Sequence, residues 1–227
     1  MRDFPKHLLS ILALMAALGL ASVASAKSDT QYWQTLHVSW KVSNRVVLTN
    51  DTVMRTSDAR GRYQIANHFM VGYKLDKHWS VALGHTADLQ YVHSSYATME
   101  NRFRQDVSYD SLLKIGKAKV SARLRLEERW RDGFTGTGWR LRPFVRLAIP
   151  LPNKLTLNLG HESFVDLDTT GFQKVAGLER MRNSIILDLP LGKHFGLGIG
   201  YVEQHGFVPG AEDTDDHVAS VQINASF

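Results

Sequence analysis

Residues 117–129 read KAKVSARLRLEER, in which apolar side chains occupy every second position from Ala118 to Leu126. The apolar set is Ala118, Val120, Ala122, Leu124 and Leu126, and Lys, Ser, Arg and Glu residues fill the positions between them. Successive side chains of a β-strand point to opposite faces of the sheet. This stretch therefore predicts a strand with one apolar face and one charged face.

The same alternation recurs at residues 63–75, 155–160 and 195–201. Between 63 and 75, odd positions carry Tyr, Ile, Asn, Phe, Val, Tyr and Leu, against Gln, Ala, His, Met, Gly and Lys. The candidate strands number eleven and begin near residues 31, 45, 63, 79, 98, 117, 139, 155, 179, 195 and 217. A closed barrel is one architecture for such strands, and single-chain bacterial barrels have an even number of strands. For a barrel we therefore expect ten strands, with the segment from Tyr32 to Val42 outside the wall, or twelve, with one strand hidden.

The first 26 residues have the composition of a secretory signal peptide. Arg2 and Lys6 precede an apolar run from Leu8 to Leu20, and residues 24–26 are Ala-Ser-Ala. The run is shorter than the roughly 20 residues of a membrane-spanning helix, so a membrane anchor is the weaker alternative. We expect residues 1–26 to be removed by cleavage after Ala26, leaving one exported domain at residues 27–227.

Composition excludes several functional classes. The chain has 227 residues and no Cys, which removes thiolate catalysis and Cys-ligated zinc. It carries no P-loop, dinucleotide fingerprint or metalloprotease helix motif, and its ten His residues are scattered. We therefore expect no cofactor and no metal. The formal net charge of +5 gives no reason to expect a nucleic-acid partner in an exported protein.

Charge placement favours a membrane barrel over a soluble sandwich, although both architectures alternate. In a barrel, lipid covers the apolar face and the charged residues pair inside the lumen. We therefore predict a transmembrane antiparallel up-and-down β-barrel of about 10–12 strands. Tryptophans near strand ends would form the interfacial girdles; they are Trp33, Trp40, Trp79, Trp130 and Trp139.

The charged faces of the predicted strands form a luminal ladder. The simpler interpretation is a salt-bridge network that packs the lumen, because buried charge is tolerated when it is paired. The alternative is a constriction that prefers anions, since rings of Arg select anions. A regular hairpin at 131–138 would bring Glu127 opposite Arg142 and Arg125 opposite Phe144. The predicted ladder consists of Glu100, Arg102, Arg104, Arg123, Arg125, Glu127, Arg129, Arg140, Arg142, Arg146, Glu162 and Arg182.

The last nine residues alternate between apolar and polar side chains and end at Phe227. They resemble the C-terminal signature strand of bacterial outer-membrane proteins, which the barrel-assembly machinery reads. The resemblance implies that Phe227 is an assembly signal and that outer-membrane lipids and lipopolysaccharide surround the protein. It also implies short periplasmic turns and longer extracellular segments; the extracellular segments are 56–62, 90–97, 131–138, 166–177 and 204–216.

Several short runs of polar and aromatic residues resemble one known family. They are Glu100-Asn101-Arg102, residues 123–129, residues 139–142 and Glu162-Ser163-Phe164. They are similar to the proteobacterial outer-membrane proteins catalogued as domain of unknown function 2490. The resemblance implies a barrel in the bacterial outer membrane and brings no activity with it.

Two classes of function remain open for such a barrel. The first is a narrow channel or structural envelope protein, with a small solute or an anion as the ligand. The alternative is a lipid hydrolase, because His161-Glu162-Ser163 resembles the His-x-Ser part of outer-membrane lipid A deacylases. A hydrolase also needs a group that orients the imidazole. Alternation points Glu162 into the lumen and leaves Glu179 as the nearest candidate, so we expect no deacylase activity.

Overall fold

The computed structural model describes residues 26–227, in which eleven β-strands form the wall of a closed barrel. No helix in this part of the chain is long and apolar enough to cross a membrane. Residues 1–25 of the expected signal peptide lie outside the described residues. The elements are β1 (Lys27–Lys41), β2 (Val46–Ser57), β3 (Gly61–Lys74), β4 (Trp79–Val92), β5 (Ser95–Ile115), β6 (Ala118–Arg131), β7 (Gly138–Pro150), a 3-10 turn (Pro152–Lys154), β8 (Thr156–Asp166), β9 (Gly177–Pro190), β10 (Phe195–Gly206) and β11 (Thr214–Ser226).

A parallel pair of strands closes the barrel. Every strand pairs antiparallel with the next one in sequence, whereas β1 and β11 run side by side in the same direction. An up-and-down chain with an odd number of strands has first and last strands that point the same way, so it can close only in parallel. The count of eleven is therefore correct, and the adjustment to ten or twelve is wrong. The segment from Tyr32 to Val42 belongs to the wall, almost entirely as part of β1.

The connections differ between the two ends of the barrel. At the short-turn end, the strands are joined by residues 42–45, 75–78, 116–117, 151–155 and 191–194. The remaining connections define the long-loop end, and the largest of them are 132–137, 167–176 and 207–213.

One segment at the long-loop end differs from the expected loop. Residues 90–97 form a tight hairpin in which only His93 and Ser94 lie between the strands. Both residues have positive φ, 48° and 65°, as the two central residues of a type I′ turn require. The strands β4 and β5 consequently extend further than the sequence pattern predicted.

The outer face of the wall is apolar, as the alternation predicts. Large side chains such as Leu83 and Ile185 are 54% and 53% exposed on this face. Trp40, Trp79 and Trp130 are also exposed. On the inner face the same strands carry charged residues, glycines and small polar residues.

Two aromatic residues that the pattern assigned to the outer face lie inside. Trp33 is 6% exposed, and its indole N–H lies 3.0 Å from Gln31 Oε1 and 2.9 Å from the Tyr63 hydroxyl. Tyr63 is the extra residue of a β-bulge, because Arg55 pairs with Gln64 and Thr56 pairs with Arg62. Such a bulge re-aims a side chain and interrupts the period of two. Trp33 lies inside for another reason, because it shares the inward parity of fully buried Gln31 on β1, and it is not a girdle residue.

Phe227 is fastened to the short-turn end. Its ring stacks on His194 at 5.5 Å and meets Phe195 edge-on at 6.3 Å between centroids. Its backbone N–H donates to Ser39 O at 3.0 Å, and its carbonyl accepts a hydrogen bond from Lys41 N at 2.8 Å. These bonds extend the seam between β11 and β1 by one residue.

Candidate functional site: the arginine-rich lumen

The lumen is organised in two layers of charge. Several carboxylates lie against the wall, and Glu100, Glu127 and Asp88 are 0% exposed. Arginine side chains lie over them and line the cavity, whereas these three acids do not. This arrangement is physically reasonable because a buried carboxylate needs several donors to offset its lost hydration.

Glu100 on β5 binds three arginines. Its carboxylate accepts hydrogen bonds from Arg102 Nε at 2.6 Å, Arg129 Nε at 2.8 Å and Arg131 Nε at 2.9 Å. Arg129 also donates to Gln173 Oε1 at 2.8 Å, and Gln173 belongs to the loop 167–176. A residue of the long-loop end is thus folded into the lumen, where it is almost fully buried.

Glu127 on β6 lies between two further arginines. Arg142 Nη1 donates to Glu127 Oε1 at 2.7 Å, while Arg104 Nε lies 3.1 Å from the same oxygen without hydrogen-bond alignment. Arg142 and Glu127 form an ion pair, but they are not directly opposite each other. In the observed register Glu127 faces Arg140, and Arg125 faces Arg142. The expected register of this hairpin is therefore wrong by two residues.

Glu162 on β8 joins the ladder to the other half of the barrel. Its two oxygens accept from Arg123 Nη2 at 2.5 Å and from Arg142 Nη2 at 2.9 Å. Arg182 Nη1 on β9 lies 3.6 Å away. Arg142 on β7 also binds Glu127 on β6. The four strands from β6 to β9 are therefore linked through charged side chains.

Three aspartates complete the network. Arg125 donates two hydrogen bonds to Asp106, from Nε to Oδ1 and from Nη2 to Oδ2, both at 2.7 Å. Arg140 Nε donates to Asp166 at 2.6 Å, and Asp88 binds Arg102. The predicted ladder omits all three aspartates. They share the inward parity of their strands, and parity was the signal that could have found them.

The structure brings eleven of the twelve predicted ladder residues into this network. Arg146 is the exception, because it is exposed on the short-turn side, between Ser121 of β6 and Gly160 of β8. Among residues 26–227, no three His, Asp or Glu side chains are grouped so that they could hold a metal ion.

A cavity of about 960 Å³ occupies the lumen towards the long-loop end. Fourteen basic and five acidic side chains line it. Its aromatic lining includes Phe164, whose ring lies 4.3 Å from the guanidinium of Arg142 and 4.8 Å from that of Arg182. Among the described residues, five arginine Nε atoms in this region have no hydrogen-bond partner; they belong to Arg55, Arg104, Arg123, Arg142 and Arg182.

Comparison with known proteins identifies the relatives of this barrel. A family model described as a protein of unknown function, DUF2490, matches residues 30–215. The chain belongs to this family. An uncharacterized protein of Methylorubrum extorquens is similar to this DUF2490 chain, with 27% identity over 96% of this chain and 97% of that protein. No solved structure matches the chain.

The alternative site of this DUF2490 chain lies on the outer face. His161 Nε2 and Ser163 Oγ are 3.1 Å apart, and His161 Nδ1 lies 2.8 Å from Asn183 Oδ1 on β9. Glu179 is not the orienting residue, because it lines the luminal cavity and contacts Arg140 and Arg180. The nearest candidate from the sequence, Glu179, is therefore on the other side of the wall, and Asn183 contacts the imidazole instead.

Proposed function

We propose that this DUF2490 barrel spans the bacterial outer membrane and that its lumen is a narrow channel that prefers small anions. The observation that carries the proposal is the lining of the cavity, where fourteen basic side chains face five acidic ones. A pore lined by arginines concentrates anions and repels cations.

The wall supports a membrane location. Its outer face exposes large apolar side chains on every side of a closed barrel, and closed barrels leave no unpaired strand edge in lipid. A soluble protein would not expose contiguous apolar surface of this extent. In the proposed orientation the short-turn end faces the periplasm and the long-loop end faces the outside. Lipopolysaccharide and outer-membrane lipids then surround the barrel, and the barrel-assembly machinery inserts it.

The two layers of charge explain how the lumen would hold an anion without losing its shape. The buried carboxylates fix one side of each guanidinium through charge-assisted hydrogen bonds. The same arginine side chains line the cavity, where basic groups outnumber acidic ones. A cavity with this excess of positive hydrogen-bond donors favours a ligand that only accepts hydrogen bonds, such as a halide, a carboxylate or a phosphate.

The membrane location predicts heat-modifiable migration. The mature protein should fractionate with outer membranes, and it should migrate differently on a denaturing gel before and after boiling. The physical reason is that a closed ring offers detergent no free edge from which strands can separate. Recovery of the mature protein in the soluble periplasmic fraction would contradict the proposed location.

The channel predicts anion selectivity in planar bilayers. In a potassium chloride gradient, the reversal potential should show preference for chloride, and Arg182→Gln should reduce that preference at least about twofold. Arg45→Gln is the matched control, because Arg45 is an exposed residue of the turn 42–45. A folded barrel that conducts no ions would overturn the channel and favour a structural envelope protein with a plugged lumen.

A further inference from the structure

A row of polar side chains crosses the outer face of four adjacent strands. His161 on β8 pairs with Asn183 on β9, Asn183 pairs with Glu203 on β10, and Glu203 pairs with His217 on β11. These positions alternate with luminal residues such as Glu162, so their side chains point away from the lumen. All of them except exposed His217 are half-buried.

Three side chains of this row and Ser163, two residues beyond His161 on the same face, are connected by hydrogen bonds. Ser163 Oγ lies 3.1 Å from His161 Nε2, and His161 Nδ1 lies 2.8 Å from Asn183 Oδ1. Asn183 Nδ2 donates in turn to Glu203 Oε2 at 3.2 Å. A hydroxyl, an imidazole and an orienting acceptor in this order are the parts of a nucleophilic triad.

We propose that Ser163, His161 and Asn183 form a catalytic triad that hydrolyses carboxylic esters of membrane lipids. The proposal is independent of ion conduction, and it rests on the proposed membrane location for its lipid substrate. Ser163 is the nucleophile, His161 is the general base, and Asn183 orients the imidazole. Glu203 is a positioning residue that acts through Asn183.

The hydrogen-bond chain selects the tautomer that catalysis needs. Glu203 accepts only, so it takes the Nδ2 donor of Asn183 and turns the Oδ1 acceptor towards His161. The imidazole must then carry its proton on Nδ1 to donate to that oxygen. Nε2 is left with a free lone pair, which accepts the hydroxyl proton of Ser163.

The position of the triad matches the depth of a lipid ester. On the short-turn side of the row, the outward residues are apolar and include Leu159, Ile185 and Ile199. Across the row they become His, Asn and Glu, and Val165 and Leu178 nearer the loops are apolar again. Ester carbonyls of lipids lie at the boundary between acyl chains and headgroups, a depth that suits a polar row within an apolar surface. With the long-loop end outside, the boundary faces the outer leaflet.

The reaction needs only the lipid and water. Ser163 Oγ attacks the acyl carbonyl carbon and its proton passes to His161 Nε2; the carbon–oxygen ester bond then breaks, and His161 returns the proton to the leaving alcohol. A water molecule attacks the acyl-enzyme and gives one proton to His161. The bond between the acyl carbon and Ser163 Oγ then breaks, the acyl group leaves as a fatty acid, and His161 returns the proton to Ser163 Oγ.

Another histidine–asparagine pair on the outer face provides a matched control. His85 Nε2 on β4 lies 3.1 Å from Asn101 Oδ1 on β5. Position 87, two residues beyond His85 on the same face, is alanine. This pair therefore has the interfacial chemistry of the proposed triad without its nucleophile.

The first experiment tests the triad in detergent, where no membrane is required. The folded protein should hydrolyse a soluble p-nitrophenyl acyl ester, and a fluorophosphonate probe should label it. Ser163→Ala should abolish both signals, Asn183→Ala should slow hydrolysis on the order of 10²-fold or more, and His85→Ala should change neither. Equal hydrolysis by the wild type and Ser163→Ala, or the absence of hydrolysis and labelling in the folded wild type, would overturn the triad.

The second experiment identifies the lipid. Folded protein is inserted into vesicles of phosphatidylethanolamine alone or with lipid A, and released fatty acids are measured by mass spectrometry. Loss of an acyl chain from one lipid, absent in Ser163→Ala, names the substrate. Hydrolysis of the soluble ester without release from either vesicle would refute the lipid substrate. A protein that hydrolyses the soluble ester and does not enter vesicles counts against the proposed membrane location, not against the triad.

Discussion

Replacing Glu100 with glutamine should lower the free energy of unfolding by about 3 to 5 kcal/mol. Glu100 is fully buried and binds Arg102, Arg129 and Arg131, so its removal leaves three guanidinium groups without their shared counter-charge. Glutamine keeps the size of the side chain, which separates the loss of charge from the opening of a cavity. Unfolding in detergent, followed by tryptophan fluorescence, measures the change.

Glu128→Gln is the control for this substitution. Glu128 lies on the outer face of β6, where it accepts a hydrogen bond from Gln105 at 3.0 Å. Glutamine keeps the acceptor for this single hydrogen bond, and such a bond contributes only about 0.5 to 1.5 kcal/mol, so this variant should remain close to the wild type. Unchanged stability in Glu100→Gln would show that water reaches the network and screens it. The packed part of the lumen would then be an open pore.

Gly200→Ala should disrupt the wall between β9 and β10. A Cβ atom at position 200 would lie 2.1 Å from Ile185 O and 2.8 Å from Ile186 Cα. Both contacts are with backbone, so the strand itself must move. Overpacking of this kind costs about 1 to 3 kcal/mol and sometimes more, and we expect a loss at the upper end of that range. The midpoint of thermal unfolding and the yield of heat-modifiable protein report the effect.

Gly196→Ala on the same strand tests whether the close approach is the cause. Its Cβ atom would come no nearer than 3.4 Å to Leu189 O, which is ordinary van der Waals contact. Both glycines lie on the inner face of β10, and both changes add the same methyl group. Equal destabilisation by the two variants would show that strand flexibility, rather than steric contact, decides the outcome.

Alternation predicted the two faces of the wall because the outer face carries apolar side chains and the inner face carries charged and small polar ones. Most inward arginines of β6 and β7 could be assigned one by one for this reason; the exception is Arg131, which the sequence placed in a loop and which binds Glu100 at the end of β6. Register could not be predicted in the same way. The connection 132–137 determines which residues of β6 and β7 meet, and a shift of two residues preserves every face while it changes every partner. Glu127 consequently faces Arg140.

Residues at bulges escaped the sequence argument for a different reason. Tyr63 and Glu179 are each the extra residue where a strand pair changes register, and both lie in the lumen against their parity. A bulge depends on local hydrogen bonding, which hydrophobic periodicity does not report. Asn183 was missed because it meets His161 only across the loop 167–176. The bulge in β9 also lies between that loop and the pair.

The parallel seam between β1 and β11 makes the closure of the ring the most non-local event in folding. Every other strand pair joins neighbours in sequence, while the seam brings Lys27–Ser39 against Thr214–Ser226. Loop-closure entropy grows only logarithmically with chain length, so this distance adds little to the equilibrium cost. It acts on the rate instead, because contacts between distant segments form slowly. Parallel hydrogen bonds are also slightly weaker than antiparallel ones. Ten hairpin pairings can therefore form before the ring closes, and we expect the seam to be the last contact to form and the first to open.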